Sequence, residues 1–111
     1  MDLKGKLVFV CGPTWGHVDM NRPALEEAGR RLRNRGIDTH VMEVCDPDDT
    51  TSRHRAVATN VHELTKGYEG RTLFDALVLL PRSENSTDCM LLRDVAAHCG
   101  IPIVSLERAL S

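Results

Sequence analysis

The chain of 111 residues lacks several features that each mark a class of protein. Its formal net charge is −2, so it has no basic excess of the kind that binds nucleic acid. No apolar stretch approaches the ~20 residues that a membrane-spanning helix needs, and the N-terminus lacks the architecture of a signal peptide. There is no internal repeat and no low-complexity segment. We therefore expect one globular, cytoplasmic domain over residues 1–111, with no nucleic-acid or membrane partner.

The cysteines and histidines lack the spacings of metal sites. Cys11, Cys45, Cys89 and Cys99 form no Cys-x-x-Cys pair, which argues against a zinc site and favours free thiols over a disulfide framework. The five histidines are scattered, with no His-x-x-x-His or His-Glu-x-x-His pattern. We expect no metal and no cofactor. Cys11, Cys89 and Cys99 stand in apolar or helical contexts and are expected to be small buried residues.

An unbroken apolar run over residues 7–11 predicts a β-strand that is covered on both faces, because a half-exposed strand would alternate. Gly12-Pro13 then ends the strand. A helix is expected from about Asn21, with Asn21 as its N-cap and a proline in its first turn. In open α/β sheets, ligands bind outside the carboxyl ends of strands, so residues 12–21 are the first place to look for a site.

The rest of the chain alternates between apolar runs and apolar stripes at helical spacing. We expect the first helix, with an apolar stripe at Leu25, Ala28 and Leu32, to end at Gly36. It is followed by a strand over residues 37–44, a weaker helix over about 55–66 and a strand over 73–80. The last helix is expected to have Ser86 as its N-cap and to end at Gly100, and a strand over 101–106 follows. The order βαβαβαβ predicts an α/β fold: a three-layer, flavodoxin-like or Rossmann-like domain whose mostly parallel sheet of four to five strands has helices on both faces.

Three segments should meet at the carboxyl edge of this sheet: residues 12–21, 45–49 and 81–88. Loop-to-helix junctions present free backbone N–H groups that suit a phosphate or a carboxylate. The loop Gly-Pro-Thr-Trp-Gly is neither a Gly-x-Gly-x-x-Gly motif nor a Walker loop, so the sequence does not predict a dinucleotide or ATP site. Asp75 should stand at the opposite, amino end of its strand and have a structural role.

Two stretches of the chain carry a resemblance to a known family. The first has Val-Cys-Gly-Pro-Thr-Trp-Gly at 10–16 and Asn-Arg-Pro-Ala-Leu at 21–25. The second has Asp-Ala-Leu-Val-Leu-Leu-Pro at 75–81, then Ser86 and Gly-Ile-Pro-Ile at 100–103. They resemble an uncharacterised family of small phage and bacterial proteins with Ser-Gly-Pro-Met-Thr-Gly, Asn-Arg-Pro-Ala-Phe and Gly-Ile-Pro-Val motifs. That family is similar to the nucleoside 2-deoxyribosyltransferases. Residues 46–71 match it poorly.

The resemblance implies a Rossmann-like fold, a pocket for a nucleoside or nucleotide, and a homo-oligomer. If the chain is phage-encoded, its compartment would be the host cytoplasm. The residues expected to bind the ligand are Gly12, Pro13, Thr14, Trp15, Gly16, Asn21, Ser86 and Asp88.

The resemblance also indicates the position at which a catalytic residue would be expected. In the transferases, a glutamate early in the last helix, within Ser-x-Gly-Ala-x-x-Glu, attacks the anomeric carbon of the deoxyribose. Aligned on Ser86, the glycine position holds Asp88 and the glutamate position holds Leu92, which cannot act as a nucleophile. We therefore expect a nucleotide- or nucleoside-binding protein whose usual catalysis is lost or altered. The alternatives are an active N-glycoside hydrolase or deoxyribosyltransferase that uses another carboxylate, such as Asp88, and a non-catalytic oligomeric interaction module.

Several side chains have two interpretations at this point. Asp88 can aim its carboxylate at a pocket, or it can simply favour the positive end of its helix. Trp15, the only tryptophan, can stack on a base, or it can form a lid or a subunit contact. His17 can act as a general acid or base, or it can be merely exposed. Asp46 and Asp49 can bind ribose hydroxyls or a cation, although a solvated acidic loop is the favoured interpretation.

Overall fold

The computed structural model describes residues 2–49 and 51–111 and has the predicted α/β architecture. Its central sheet has four parallel strands, β1 (Leu7–Cys11), β2 (Asp38–Val41), β5 (Ala76–Leu79) and β6 (Ile103–Ser105), in the spatial order β2-β1-β5-β6. A separate antiparallel ribbon consists of β3 (Gly67–Tyr68) and β4 (Arg71–Thr72). The helices are α1 (Arg22–Asn34), α2 (Thr51–Leu64), α3 (Thr87–His98) and α4 (Leu106–Leu110).

The helices lie in two layers that enclose the sheet. α1 contacts α4, β1 and β2, whereas α2 contacts α3, which packs on β5 and β6. Within residues 2–49 and 51–111, no helix combines the length and hydrophobicity that crossing a membrane requires.

The central strand β1 is the most deeply buried part of the sheet. Val8, Phe9 and Val10 are completely buried, and β1 is hydrogen-bonded to β2 on one side and to β5 on the other. Because helices cover both faces, the strand is apolar without alternation, as predicted. Phe9 meets Phe74 edge-on, with ring centroids 5.3 Å apart. Each of these fully buried side chains contributes roughly 1.5–3 kcal/mol of burial free energy.

The sheet order creates a switch point between β1 and β5. The first crossover, through α1, places β2 on one side of β1, and the next returns the chain to place β5 on the other side. The carboxyl ends of these two strands are therefore neighbours, and Cys11 is paired with Leu79. Loops that leave adjacent strands in opposite directions leave a crevice between them, which is where open α/β sheets bind ligands.

Three differences from the predicted elements have local causes. α2 begins at Thr51 rather than near residue 55, because the Asp49 carboxylate accepts hydrogen bonds from the Thr51 N–H and hydroxyl at 3.0 and 2.6 Å. The last strand ends at Ser105, whose Oγ accepts the Arg108 N–H at 3.1 Å and so starts α4. The ribbon β3–β4 was not predicted. Its turn places Glu69 and Gly70 in the left-handed region, as a tight hairpin requires.

Two single-residue expectations have clear outcomes in the fold. Asp75 lies at the amino end of the sheet, where its Oδ2 accepts the Leu7 N–H at 2.9 Å and its own N–H donates to the Leu7 carbonyl at 2.8 Å. It ties the starts of β1 and β5 together. The prediction that Cys99 is buried is wrong. Cys99 follows the last residue of α3, and the buried face of this helix ends at Ala96.

Candidate functional site

A cleft of about 560 Å³ opens at the carboxyl edge of the sheet, and we call it the switch-point cleft. The loop after β1, the start of α2, the loop after β5 and the start of α3 all contribute to it. Its lining residues are Pro13, Trp15, His17, Arg53, Arg82, Asn85, Ser86 and Thr87.

Three of the residues that were expected to bind a ligand, Pro13, Trp15 and Ser86, line this cleft. The other five stand outside its lining, and each has a different environment. Thr14 is buried, and its carbonyl accepts the His17 N–H at 3.2 Å. Gly16 is exposed and has a φ of +84°, a conformation that favours glycine.

Gly12 faces the protein interior. A Cβ at this position would lie 3.1 Å from the Leu80 Cβ and 3.2 Å from the Leu25 Cδ2, and its N–H donates to the Met42 Sδ at 3.3 Å. The missing side chain therefore lets the end of β1 pack closely against the end of β5 and against α1.

Replacing Gly12 should accordingly affect stability. We expect Gly12→Ala to lower the free energy of unfolding by about 1–3 kcal/mol, because overpacking forces Leu80 or Leu25 to shift, and Gly12→Val to lower it further. Urea unfolding followed by circular dichroism measures both. If both variants were as stable as the parent chain, the space around Gly12 would be large enough for a side chain, which would contradict this account.

Asn21 occupies the N-cap position of α1, as predicted, but its side chain makes no capping hydrogen bond. Its backbone is left-handed, with a φ of +65°, whereas a capping residue needs an extended backbone to reach the first-turn N–H groups. The Asn21 Nδ2 instead donates to the Pro13 carbonyl at 2.8 Å. The side chain therefore holds the loop that forms one wall of the switch-point cleft.

Backbone strain is concentrated in the two loops that flank the cleft. Asp19, Met20 and Asn21 have successive φ values of +49°, +52° and +65°, and Arg82 has a φ of +69°. Each such residue costs roughly 1–2 kcal/mol relative to an ordinary backbone. Strain of this kind persists only where the surrounding structure enforces it, and it is typical of functional sites.

The strain at Arg82 gives a prediction in which stability and binding change in opposite directions. We expect Arg82→Gly to raise the free energy of unfolding by roughly 0.5–1 kcal/mol. Glycine adopts this φ without penalty, which stabilises the folded chain. The greater flexibility of glycine in the unfolded chain offsets part of this gain. The same variant loses one of the two guanidinium groups of the cleft. Arg82→Lys is the control, since it keeps the charge and the strain. An Arg82→Gly chain that is less stable than the parent would contradict this account.

The cleft is positively charged. Arg53 and Arg82 line it, and among the described residues no Asp or Glu does. The Arg53 guanidinium carbon lies 5.1 Å from the centroid of the Trp15 ring, within the range of a cation–π contact. The Trp15 side chain stays 41% exposed, so part of the ring remains open to the cleft.

Asp88 stands behind Arg53 rather than in the lining. Its Oδ1 lies 3.7 Å from the Arg53 Nη2, and its side chain is 21% exposed. The carboxylate therefore lies beside the same guanidinium group that faces the Trp15 ring. The Asp46 and Asp49 carboxylates are engaged locally, because they accept N–H groups of Asp48 and Thr51 in their own loop.

The start of α3 adds a second source of positive potential. Ser86 is the N-cap, as predicted, and its Oγ accepts the Cys89 N–H at 3.2 Å. The first N–H groups of a helix have no intrahelical partner and carry its positive dipole end. Because Ser86 and Thr87 line the cleft, this helix end is available to an anion there.

Leu92, which the resemblance aligns with the glutamate of the transferases, belongs to the core. It is 2% exposed and is part of the same buried cluster as Cys89 and Ala96 on α3. Asp94, two residues further along, is exposed to solvent. Neither position places a carboxylate in the switch-point cleft.

Arg82, Asn85 and Thr87 lie within the segment 81–88 that was predicted to reach this edge of the sheet, but none of the three was singled out as a site residue. Arg53 lies outside all three predicted segments. Arg53 had no local signal: it enters the cleft because α2 starts earlier than its apolar stripe indicates.

The chain has no match to any of the protein-family models scanned, and a search of curated proteins found none that matches either. The chemistry of the switch-point cleft is therefore the basis on which a function is proposed.

Proposed function

We propose that the chain binds a nucleotide or nucleoside in the switch-point cleft and that it does so without the usual glycosyl transfer. One observation carries the proposal: an open tryptophan face, two guanidinium groups and a helix start converge on one cleft with no acidic residue among its described lining. A volume of about 560 Å³ also lies within the range of small-molecule sites.

Trp15 is the proposed platform for the base. Aromatic faces stack on any nucleobase, and such contacts contribute about 1–3 kcal/mol per base. Arg53 covers the ring at 5.1 Å and fixes its position, while the exposed part of the ring remains available. Base stacking is therefore the role that we propose for the single tryptophan at the mouth of this polar cleft.

Arg53, Arg82 and the start of α3 form the proposed phosphate site. Guanidinium groups bind phosphate in a bidentate manner, and charge-assisted hydrogen bonds are about twice as strong as neutral ones. Helix N-termini add unpaired N–H donors. We therefore expect monophosphates to bind more tightly than the corresponding nucleosides.

The proposal separates binding from catalysis. Retaining glycosyl transfer needs a carboxylate that attacks the anomeric carbon, and the corresponding position here is the buried Leu92. A hydrolase that uses Asp88 is the second candidate, because this carboxylate lies one residue beyond Thr87, is partly exposed and is held by Arg53.

The test uses deoxynucleosides and their monophosphates with two readouts, the thermal midpoint and the release of free base on chromatography. We expect monophosphates to raise the midpoint and no base to appear. No midpoint shift with any member of the panel would overturn the binding proposal. Base release that Asp88→Asn abolishes would establish the hydrolase instead.

Homo-oligomerisation is proposed on a separate observation. Leu91 on α3 and Ile103 on the edge strand β6 are exposed apolar side chains on adjacent elements. Sedimentation equilibrium measures the mass: a multiple of the chain mass is expected, and a monomer at all concentrations would contradict it.

A further inference from the structure

Two of the four cysteines meet next to the switch-point cleft. Cys11 ends β1 and Cys89 lies in the first turn of α3, and both are completely buried. The Cys11 thiol donates a hydrogen bond to the Cys89 Sγ, with the sulfur atoms 3.1 Å apart. A disulfide holds its sulfur atoms at ~2.05 Å, so bond formation requires an approach of about 1 Å.

The two sulfur atoms have opposite acid–base properties. The hydrogen bond from Cys11, aided by the hydroxyls of Ser86 and Ser83, lowers the pKa of Cys89, and this outweighs the opposing effects of burial and Asp88. The same hydrogen bond and burial raise the pKa of Cys11 far above its usual range. Cys89 is therefore the better nucleophile, and Cys11 keeps its proton.

The two serines beside Cys89 each line a cavity. Ser86 lines the switch-point cleft. Ser83 lines a second cavity, of about 470 Å³, which is walled by Leu80, Met90 and Leu106. Each cavity therefore leads a small oxidant to a neighbour of Cys89, and the last step to the buried sulfur requires local movement of the chain.

We propose that Cys11 and Cys89 are a redox-active dithiol that a peroxide oxidises to a disulfide. The Cys89 thiolate attacks a peroxide oxygen, the O–O bond breaks, and hydroxide leaves, giving a sulfenic acid; the hydroxide takes up the proton that Cys89 released on ionisation and becomes the first water. The Cys11 sulfur then attacks the Cys89 sulfur, and the displaced hydroxyl leaves with the Cys11 proton as water. Two thiols are oxidised while hydrogen peroxide is reduced to two waters.

The disulfide would join two walls of the switch-point cleft. β1 leads directly into Pro13 and Trp15, and the start of α3 carries Ser86 and Thr87. Oxidation therefore fixes the distance between these walls. This modification does not depend on which ligand the cleft takes.

The test treats the full chain with a modest excess of hydrogen peroxide, digests it without reduction and maps the peptides by mass spectrometry. We expect a peptide pair that joins Cys11 to Cys89, lacks two hydrogens and separates after dithiothreitol. We also expect a rise in thermal midpoint on the order of 10 °C, because the bond closes a long loop. The exposed Cys99 serves as the internal reference for reactivity.

A chain with Cys45→Ser and Cys99→Ser isolates the pair, and adding Cys11→Ala removes the partner of Cys89. The isolated pair should lose both titratable thiols. The chain without Cys11 should gain oxygen and lose no hydrogen, and it should react more slowly, because the hydrogen bond that lowers the pKa of Cys89 is gone. Oxidation of Cys99 while Cys11 and Cys89 still titrate as thiols would overturn the proposal. Intermolecular disulfides in place of the internal bond would overturn it as well.

Discussion

Replacing Arg53 with alanine should weaken the binding of a deoxynucleoside monophosphate by roughly 10- to 100-fold, the range expected when a charge-assisted hydrogen bond is lost. Arg53 is the proposed phosphate ligand and lies over Trp15. Its removal also leaves the Asp88 carboxylate without its 3.7 Å partner, and that charge then repels the phosphate. Nucleoside binding should fall less, because no phosphate contact is lost. Isothermal titration calorimetry gives both affinities.

Arg55→Ala is the matched control for this prediction. Arg55 is on the same helix, pairs with Asp49 at 3.4 Å and lies outside the cleft lining. We expect its loss to change the affinity less than twofold, since exposed ion pairs of this kind contribute little. Equal effects of the two substitutions would show that only the overall charge of the chain matters.

Leu92→Glu should lower the free energy of unfolding by roughly 3 kcal/mol or more, because it removes a buried leucine and introduces an unpaired carboxylate into the core. The change introduces the residue type that the proposed resemblance to the transferases assigns to this position, yet Leu92 is 2% exposed and does not line the cleft. We therefore expect destabilisation and no release of base. Urea unfolding and chromatography measure the two outcomes.

Ala97→Glu is the control for Leu92→Glu. It adds the same charge to α3 at a position that is exposed to solvent, so the expected cost is only a few tenths of a kcal/mol. If Leu92→Glu kept the stability of the parent chain and released base, position 92 would face the ligand, and the assignment of Leu92 to the core would be wrong.

The architecture was predictable because its signals are local. An apolar run without alternation identified β1 as a central strand, and the spacing of Leu25, Ala28 and Leu32 identified the buried face of α1. Ser86 was recognised as a cap because serine before an apolar stripe is typical of a helix start. Together these signals fixed the order of strands and helices, and hence the edge of the sheet where a ligand site forms.

The composition of the site was less predictable because it depends on tertiary contacts. Asn21 matches a helix cap by residue type, but a left-handed backbone turns its amide toward Pro13. Gly12 matches a ligand-approach glycine, but it packs against Leu80 and Leu25. Arg53 reaches the cleft only because α2 begins at Thr51. In each case, the sequence specifies the residue type, whereas the fold determines where its side chain points.

The emission of Trp15 during a nucleotide titration tests the central claim most directly. The chain has one tryptophan, so selective excitation reports on the proposed stacking platform alone. The account predicts a saturable change in emission with deoxynucleoside monophosphates, a weaker response to nucleosides and a loss of the response in the Arg53→Ala chain. Unchanged emission at millimolar concentrations of every nucleotide, with no heat of binding by calorimetry, would contradict it.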